Sequence, residues 1–180
     1  IIVANGTYTE SVDVGMAAGN ITIRAANIGM ATVNGGTAPA FFASGHIGDI
    51  TIVGFELRST LNQSDGGVIN VTNLTGWLTV RNNTFSTGSQ FFTIGINHIT
   101  NAAGVSTQTT ILDNSFGAFE NHDFIHIEAG ENGVGGDADI LVDGNTNTSV
   151  IENDAVFIGL ESSNTTAIVV VTNNTFGGWA

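Results

Sequence analysis

The chain has 180 residues, three of them basic and sixteen acidic, for a formal net charge of −13. It has no lysine, and its basic side chains are Arg24, Arg58 and Arg81, too few to neutralise nucleic-acid phosphates or dock on an anionic membrane. Apolar residues at 42% suffice for a core, no apolar run approaches the roughly 18 residues of a membrane span, and the lack of cysteine excludes disulfide, zinc–thiolate and thiol-nucleophile chemistry.

In chain order, short runs of alternating apolar and β-branched residues recur: Ile21-Thr-Ile23, Ile50-Thr-Ile52, Leu78-Thr-Val80, Thr109-Thr-Ile111, Ile140-Leu-Val142 and Val169-Val-Val171. Their first members lie 29, 28, 31, 31 and 29 residues apart, the mark of a repeat. Seven residues after each start stand Ile28, Leu57, Phe85, Phe116, Asn147 and Phe176. Between the two elements lie Asn82-Asn83, Asp113-Asn114, Gly144-Asn145 and Asn173-Asn174, residues that tolerate the left-handed backbone of a sharp corner. A third strand follows in most repeats, at Phe41 to Ala43, Val68 to Val71, Phe91 to Ile96, Phe124 to Ile127 and Val156 to Leu160.

Each unit therefore reads strand, corner, strand, loop, strand, loop. It lacks the 3.6-residue period of helical repeats and the leucine-rich frame, and it is shorter than a four-stranded propeller blade of about 40 residues. The expectation is an all-β solenoid of about six coils with a period of about 29–31 residues, each coil covering an apolar column that no coil buries alone. Phe85, Phe116 and Phe176 are expected to stack inside it, and Asn83, Asn114, Asn145 and Asn174 to form a hydrogen-bonded ladder at one corner.

The opening string Ile1-Ile-Val-Ala-Asn-Gly-Thr-Tyr8, then Ile21-Thr-Ile-Arg24 and Ala31-Thr-Val33-Asn-Gly-Gly36, resembles the first coils of the right-handed parallel β-helix superfamily. That superfamily includes pectate lyases, pectinesterases and many bacterial and archaeal surface proteins. Asn82-Asn-Thr-Phe85, Asp113-Asn-Ser-Phe116 and Asn173-Asn-Thr-Phe176 carry the resemblance to the other end of the chain. It implies one right-handed β-helix domain over residues 1–180. The start on Ile1-Ile2-Val3 and the finish partway through a coil suggest a domain without terminal caps of its own. Its end strands are then expected to pair with a second copy or with further coils of a longer chain.

The densest polar string is Glu120-Asn-His122-Asp123-Phe-Ile-His126-Ile-Glu128. Strand alternation puts Asp123, Ile125 and Ile127 on one face and Phe124, His126 and Glu128 on the other, with Glu152 and Asp154 one coil away. Carboxylates on adjacent coils about 4.8 Å apart can raise one another's pKa for acid catalysis or hold a hard cation. The candidate catalytic residues are therefore Asp123, Glu128 and Asp154, and the candidate binding residues His122, His126 and Glu152. Asp123-Phe-Ile is similar to the start of the pectinesterase D-F-I-F-G motif, with His126 and Ile127 in place of Phe-Gly. No Arg or Lys follows Arg81, which removes the base that lyase chemistry needs.

Asp137, Asp139 and Asp143, set among glycines, are candidate calcium ligands. His46 and His98 read as turn or surface residues, and Trp77 and Trp179 as packing residues. Nine Asn-x-Ser/Thr triplets occur, of which Asn82 and Asn173 belong to the corner repeat. The first functional expectation is a non-catalytic structural or adhesive module, extracellular or on a cell surface, that stacks head-to-tail or forms part of a longer rod. The second is a polysaccharide-active or polysaccharide-binding β-helix using the carboxylates named above. Ten of the sixteen acidic residues lie between Glu120 and Glu161, while the three arginines lie earlier, so the rod should be more acidic towards one end.

Overall fold

β-Branched residues alternating with polar ones favour strands, and the corner residues turn the chain from one strand into the next. The computed structural model describes residues 1–15, 18–61, 66–86, 94–100, 106–117, 123–129, 136–147, 154–160 and 166–177. Within them the chain forms three parallel sheets and no helix. The first sheet has seven strands: Ile2–Val3 (β1), Ile21–Ala25 (β4), Ile50–Val53 (β7), Trp77–Arg81 (β10), Thr107–Leu112 (β13), Ala138–Asp143 (β16) and Ala167–Thr172 (β19). The second has six: Gly6–Thr9 (β2), Ala31–Asn34 (β5), Glu56–Arg58 (β8), Thr84–Phe85 (β11), Ser115–Phe116 (β14) and Thr146–Asn147 (β17). The third also has six: Val12–Asp13 (β3), Phe41–Ser44 (β6), Gly67–Thr72 (β9), Ile94–Thr100 (β12), Ile125–Ala129 (β15) and Val156–Leu160 (β18).

Because neighbours in every sheet are three strands apart in sequence, the chain is a parallel β-solenoid. Register pairs Ile21 with Ile50, Ile50 with Leu78, Leu78 with Thr109, Thr109 with Ile140 and Ile140 with Val169, so the sequence period is the structural rung. The expected six coils resolve into about four packed turns. Those turns, β4–β6, β7–β9, β10–β12 and β13–β15, have a strand on both sides in all three sheets. The outermost strands β1–β3 and β17–β19 have one on a single side.

The corner between the first and second sheets repeats most regularly. Its leading residue has positive φ in five successive turns, at Gly54, Asn82, Asp113, Gly144 and Asn173. The next residue is the expected asparagine ladder. The Oδ1 atoms of Asn83, Asn114, Asn145 and Asn174 accept the backbone N–H of Phe55, Asn83, Asn114 and Asn145 at 2.9–3.0 Å. Each Nδ2 donates to a main-chain carbonyl, of Ile52, Val80, Ile111 and Val142 respectively. At the return corner, Gly48 and Gly76 also have positive φ, and a Cβ on Gly76 would strike the backbone of Gly48.

Two details depart from the sequence reading. Ile28 is 68% exposed, and Val33 is the residue that pairs with Leu57, because the first corner runs five residues longer than the next. Phe85 and Phe116 stack with centroids 4.7 Å apart, but Asn147 occupies the next position in that row. The aromatic column passes instead through Phe124, 5.2 Å from Phe116, and on to Phe176 at 6.2 Å. The fully buried rings of Phe85, Phe116 and Phe124 each contribute about 1.5–3 kcal/mol of hydrophobic stabilisation, and the partly buried Phe176 less.

Candidate functional site

β15 places Ile125, Ile127 and Ala129 inside the solenoid and turns His126 and Glu128 outward. Alternation does not extend to the two preceding residues. A bend there buries Phe124 against Phe116 and also buries Asp123, whose carboxylate is directed back to the strand's outer side. His126 Nδ1 lies 2.7 Å from Asp123 Oδ2, and its Nε2 lies 2.9 Å from Glu128 Oε1. Its ring stacks on Phe157 of the next turn, with centroids 4.5 Å apart and 14° between planes.

A neutral imidazole has only one N–H, so it would aim a lone pair at one of these carboxylates; the doubly protonated ring satisfies both. Burial opposes that charge, and the hydrogen bonds to Asp123 and Glu128 outweigh it, holding the His126 pKa above its ordinary value. The cluster is therefore an imidazole held between two carboxylates over an aromatic face. Neither ring nitrogen is left to act as a general base. The carboxylate that reaches solvent is that of Glu128, only partly covered.

Asp154 lies beside Asp123 as the repeat implies: its backbone N–H donates to Asp123 Oδ1 at 3.2 Å, and its carbonyl accepts from the Phe124 N–H at 3.3 Å. Asp123, His126 and Glu128 thus come together through their side chains, with the backbone of Asp154 beside them. His122 and Glu152 lie outside the described residues. No family model, curated protein or solved structure matches the chain. The site is accordingly read from its own geometry.

The three candidate calcium ligands are spread along one strand. Asp139 and Asp143 are four residues apart on β16, roughly 13 Å at 3.3 Å per residue, and Asp137 precedes the strand. Asp143 Oδ1 accepts from Asn173 Nδ2 at 2.9 Å. Among the described residues, no group of three or more His, Asp or Glu side chains is arranged to hold a metal ion.

Both histidines expected at turns or on the surface are buried. His46 caps main-chain carbonyls of the preceding turn, with Nε2 2.9 Å from Gly19 O and Nδ1 3.4 Å from Gly15 O. His98 points into the solenoid from β12, with Nδ1 2.7 Å from Thr109 Oγ1, and burial pushes its pKa down to about 4. Among the described residues, His98 Nε2 and the hydroxyls of Thr100 and Thr107 have no hydrogen-bond partner. Trp77 faces outward, 38% exposed, and its indole N–H donates to Thr110 Oγ1 at 2.9 Å. Trp179 lies outside the described residues.

Proposed function

We propose that the chain is a non-catalytic structural or adhesive β-solenoid module of extracellular or cell-surface type, built to continue its stack into a second copy or into further coils of a longer protein. The observation that carries this reading is β19. All six of its residues are exposed, including Ile168 at 63% and Val171 at 49%, although the strand is in full register on β16. Val169 and Val171 continue the columns of Ile140 and Val142, which are buried, so among the described residues β19 presents an interior face at an open sheet edge. Such an edge offers unpaired N–H and C=O groups beside apolar side chains, the surface on which another parallel strand adds. A contact of this kind joins unlike ends and does not close on itself.

Sedimentation velocity and negative-stain microscopy test the idea. Concentration-dependent rods are expected, and Val169→Lys with Val171→Lys should return them to single particles; compact monomers at all concentrations would refute self-stacking.

A second reading rests on the clamped cluster. His126 and Glu128 on the outer side of the third sheet, backed by the buried Asp123 and beside the ring of Phe157, form a polar surface with an aromatic wall suited to sugar hydroxyls. This reading also takes in the resemblance of the first coils to pectate-lyase and pectinesterase solenoids. Because both nitrogens of His126 are engaged, it favours polysaccharide binding over turnover. A glycan screen of the wild type against Asp123→Ala/Glu128→Ala decides it, and binding unchanged by the double substitution would end it.

A further inference from the structure

We propose that the groove between Arg24 and Arg81 is a binding site for an oxyanion, a ligand presenting a phosphate, sulfate or carboxylate group. Of the three arginines in a chain of net charge −13, Arg58 is committed: its guanidinium lies 2.6 Å from Glu56 Oε1. Neither Arg24 nor Arg81 makes an ion pair among the described residues. Register places them in one row of the first sheet, Arg24 beside Val53 and Val53 beside Arg81. The two backbones are therefore two strand spacings apart, roughly 9.6 Å, and their long side chains rise on either side of Val53.

The wall of this groove is specific to its turn. The five extra residues of the first corner lift Asn27 and the 68% exposed Ile28 beside the arginines, and Asn82 closes the other side. The resulting depression holds about 490 Å³ and has no acidic side chain in its lining. Farther along the same row stand Leu112 and then Asp143, and Asp143 is occupied by Asn173.

The protein thus keeps two guanidinium forks in a concave surface while its carboxylates lie elsewhere. Arginine's planar fork matches tetrahedral and carboxylate oxyanions in a bidentate way, and the amide of Asn82 supplies a further donor, whereas Asn27 Nδ2 already donates to Asn5 Oδ1 at 3.1 Å. The long-range field of an acidic protein repels anions, so the attraction is local and the affinity modest, with a Kd on the order of 1 mM. This inference does not depend on the stacking reading.

The test is a titration of the 180-residue protein with inorganic phosphate, sulfate and acetate in low-salt buffer, followed by backbone amide NMR. Saturable shifts centred on Ala25, Ala26, Asn27 and Asn82 are expected, and the tightest of the three anions identifies the oxyanion. Arg24→Gln or Arg81→Gln should each weaken binding at least tenfold, and Arg24→Lys several-fold, because a lysine keeps the charge and loses the fork. Arg58→Gln should change it less than twofold. All three side chains are exposed, so far-UV circular dichroism should be unaltered in the four variants. Failure of all three anions to give saturable shifts in the groove, or an equal loss in Arg58→Gln, would overturn the proposal.

Discussion

Among the buried polar side chains of this solenoid, the corner asparagines and the His98 group differ in whether they repeat. At the corner between the first and second sheets, each asparagine accepts an N–H from the turn on one side and passes its own N–H to the asparagine on the other. Inside the third sheet, His98 interrupts a column formed by Val71 and Ile127, the equivalent positions of the neighbouring turns are apolar, and Thr109 Oγ1 meets its Nδ1 alone. Its Nε2 and the nearby Thr100 and Thr107 hydroxyls are left without hydrogen bonds among the described residues. Repetition satisfies buried polar groups because every turn brings the partner that the previous one needs. A polar residue present in one turn alone must find its partner elsewhere, so the irregular positions are where a solenoid departs from pure architecture.

The contrast is broken most directly at the ladder. Asn114→Ala strips the acceptor from the buried N–H of Asn83 and the donor from Val80 O. At about 1–3 kcal/mol for each stranded group, a loss of about 4 kcal/mol is expected in urea denaturation. Asn174→Ala, on the exposed last rung, should cost less than about 1 kcal/mol by the same measurement. Equal losses at the two sites would mean that the ladder is not reinforced by stacking.

His98 sharpens the other half of the comparison. Its folded pKa of about 4 lies below the unfolded value of 6.5, so the unfolded chain takes up the proton first. Stability is therefore intact above pH 6.5 and falls as the pH drops towards 4, by roughly 3 kcal/mol when complete. His98→Val, which restores the column, should abolish that slope in melts taken between pH 4 and 7; an unchanged slope would place its origin elsewhere.

The smallest effect belongs to His126, one turn away and on the opposite face. Its pKa is raised, so the stabilisation it gives is complete below the unfolded value near 6.5 and fades as the pH rises through the folded value. Because the cluster reaches solvent, a loss below about 1 kcal/mol is expected on the alkaline side, absent in His126→Gln. Melts at pH 6 and pH 9 measure it.

These contrasts also show which parts of the molecule could be read from sequence. A repeat converts a folding problem into alignment, so the pairing of Leu78 with Thr109 and the run of Asn83, Asn114, Asn145 and Asn174 were visible as spacing alone. Spacing failed where a turn changes length: the long first corner moved Val33 into the position expected for Ile28. The inner and outer faces near Asp123 were misassigned at Phe124, because alternation holds only within the strand and the preceding bend reverses it. His46 and His98 looked peripheral because the groups they meet, two main-chain carbonyls and a threonine one sheet away, leave no mark in the local sequence. The arginine groove left a mark that charge counting overlooked. Arg24 and Arg81 each stand three residues after the first repeat residue of their strands, Ile21 and Leu78, which puts both in one row.

The parallel register has a mechanical consequence. Each strand is bonded only to its counterparts in the turns before and after, so tension applied at β19 bears on the bonds to β16 and on little else. The chain would yield by peeling, one turn at a time. Each step would release about 30 residues, roughly 100 Å of extended chain, while the turns beneath kept their shape. A rod of this construction gives way gradually under load, as a coiled rope pays out, and stays anchored by whatever turns remain.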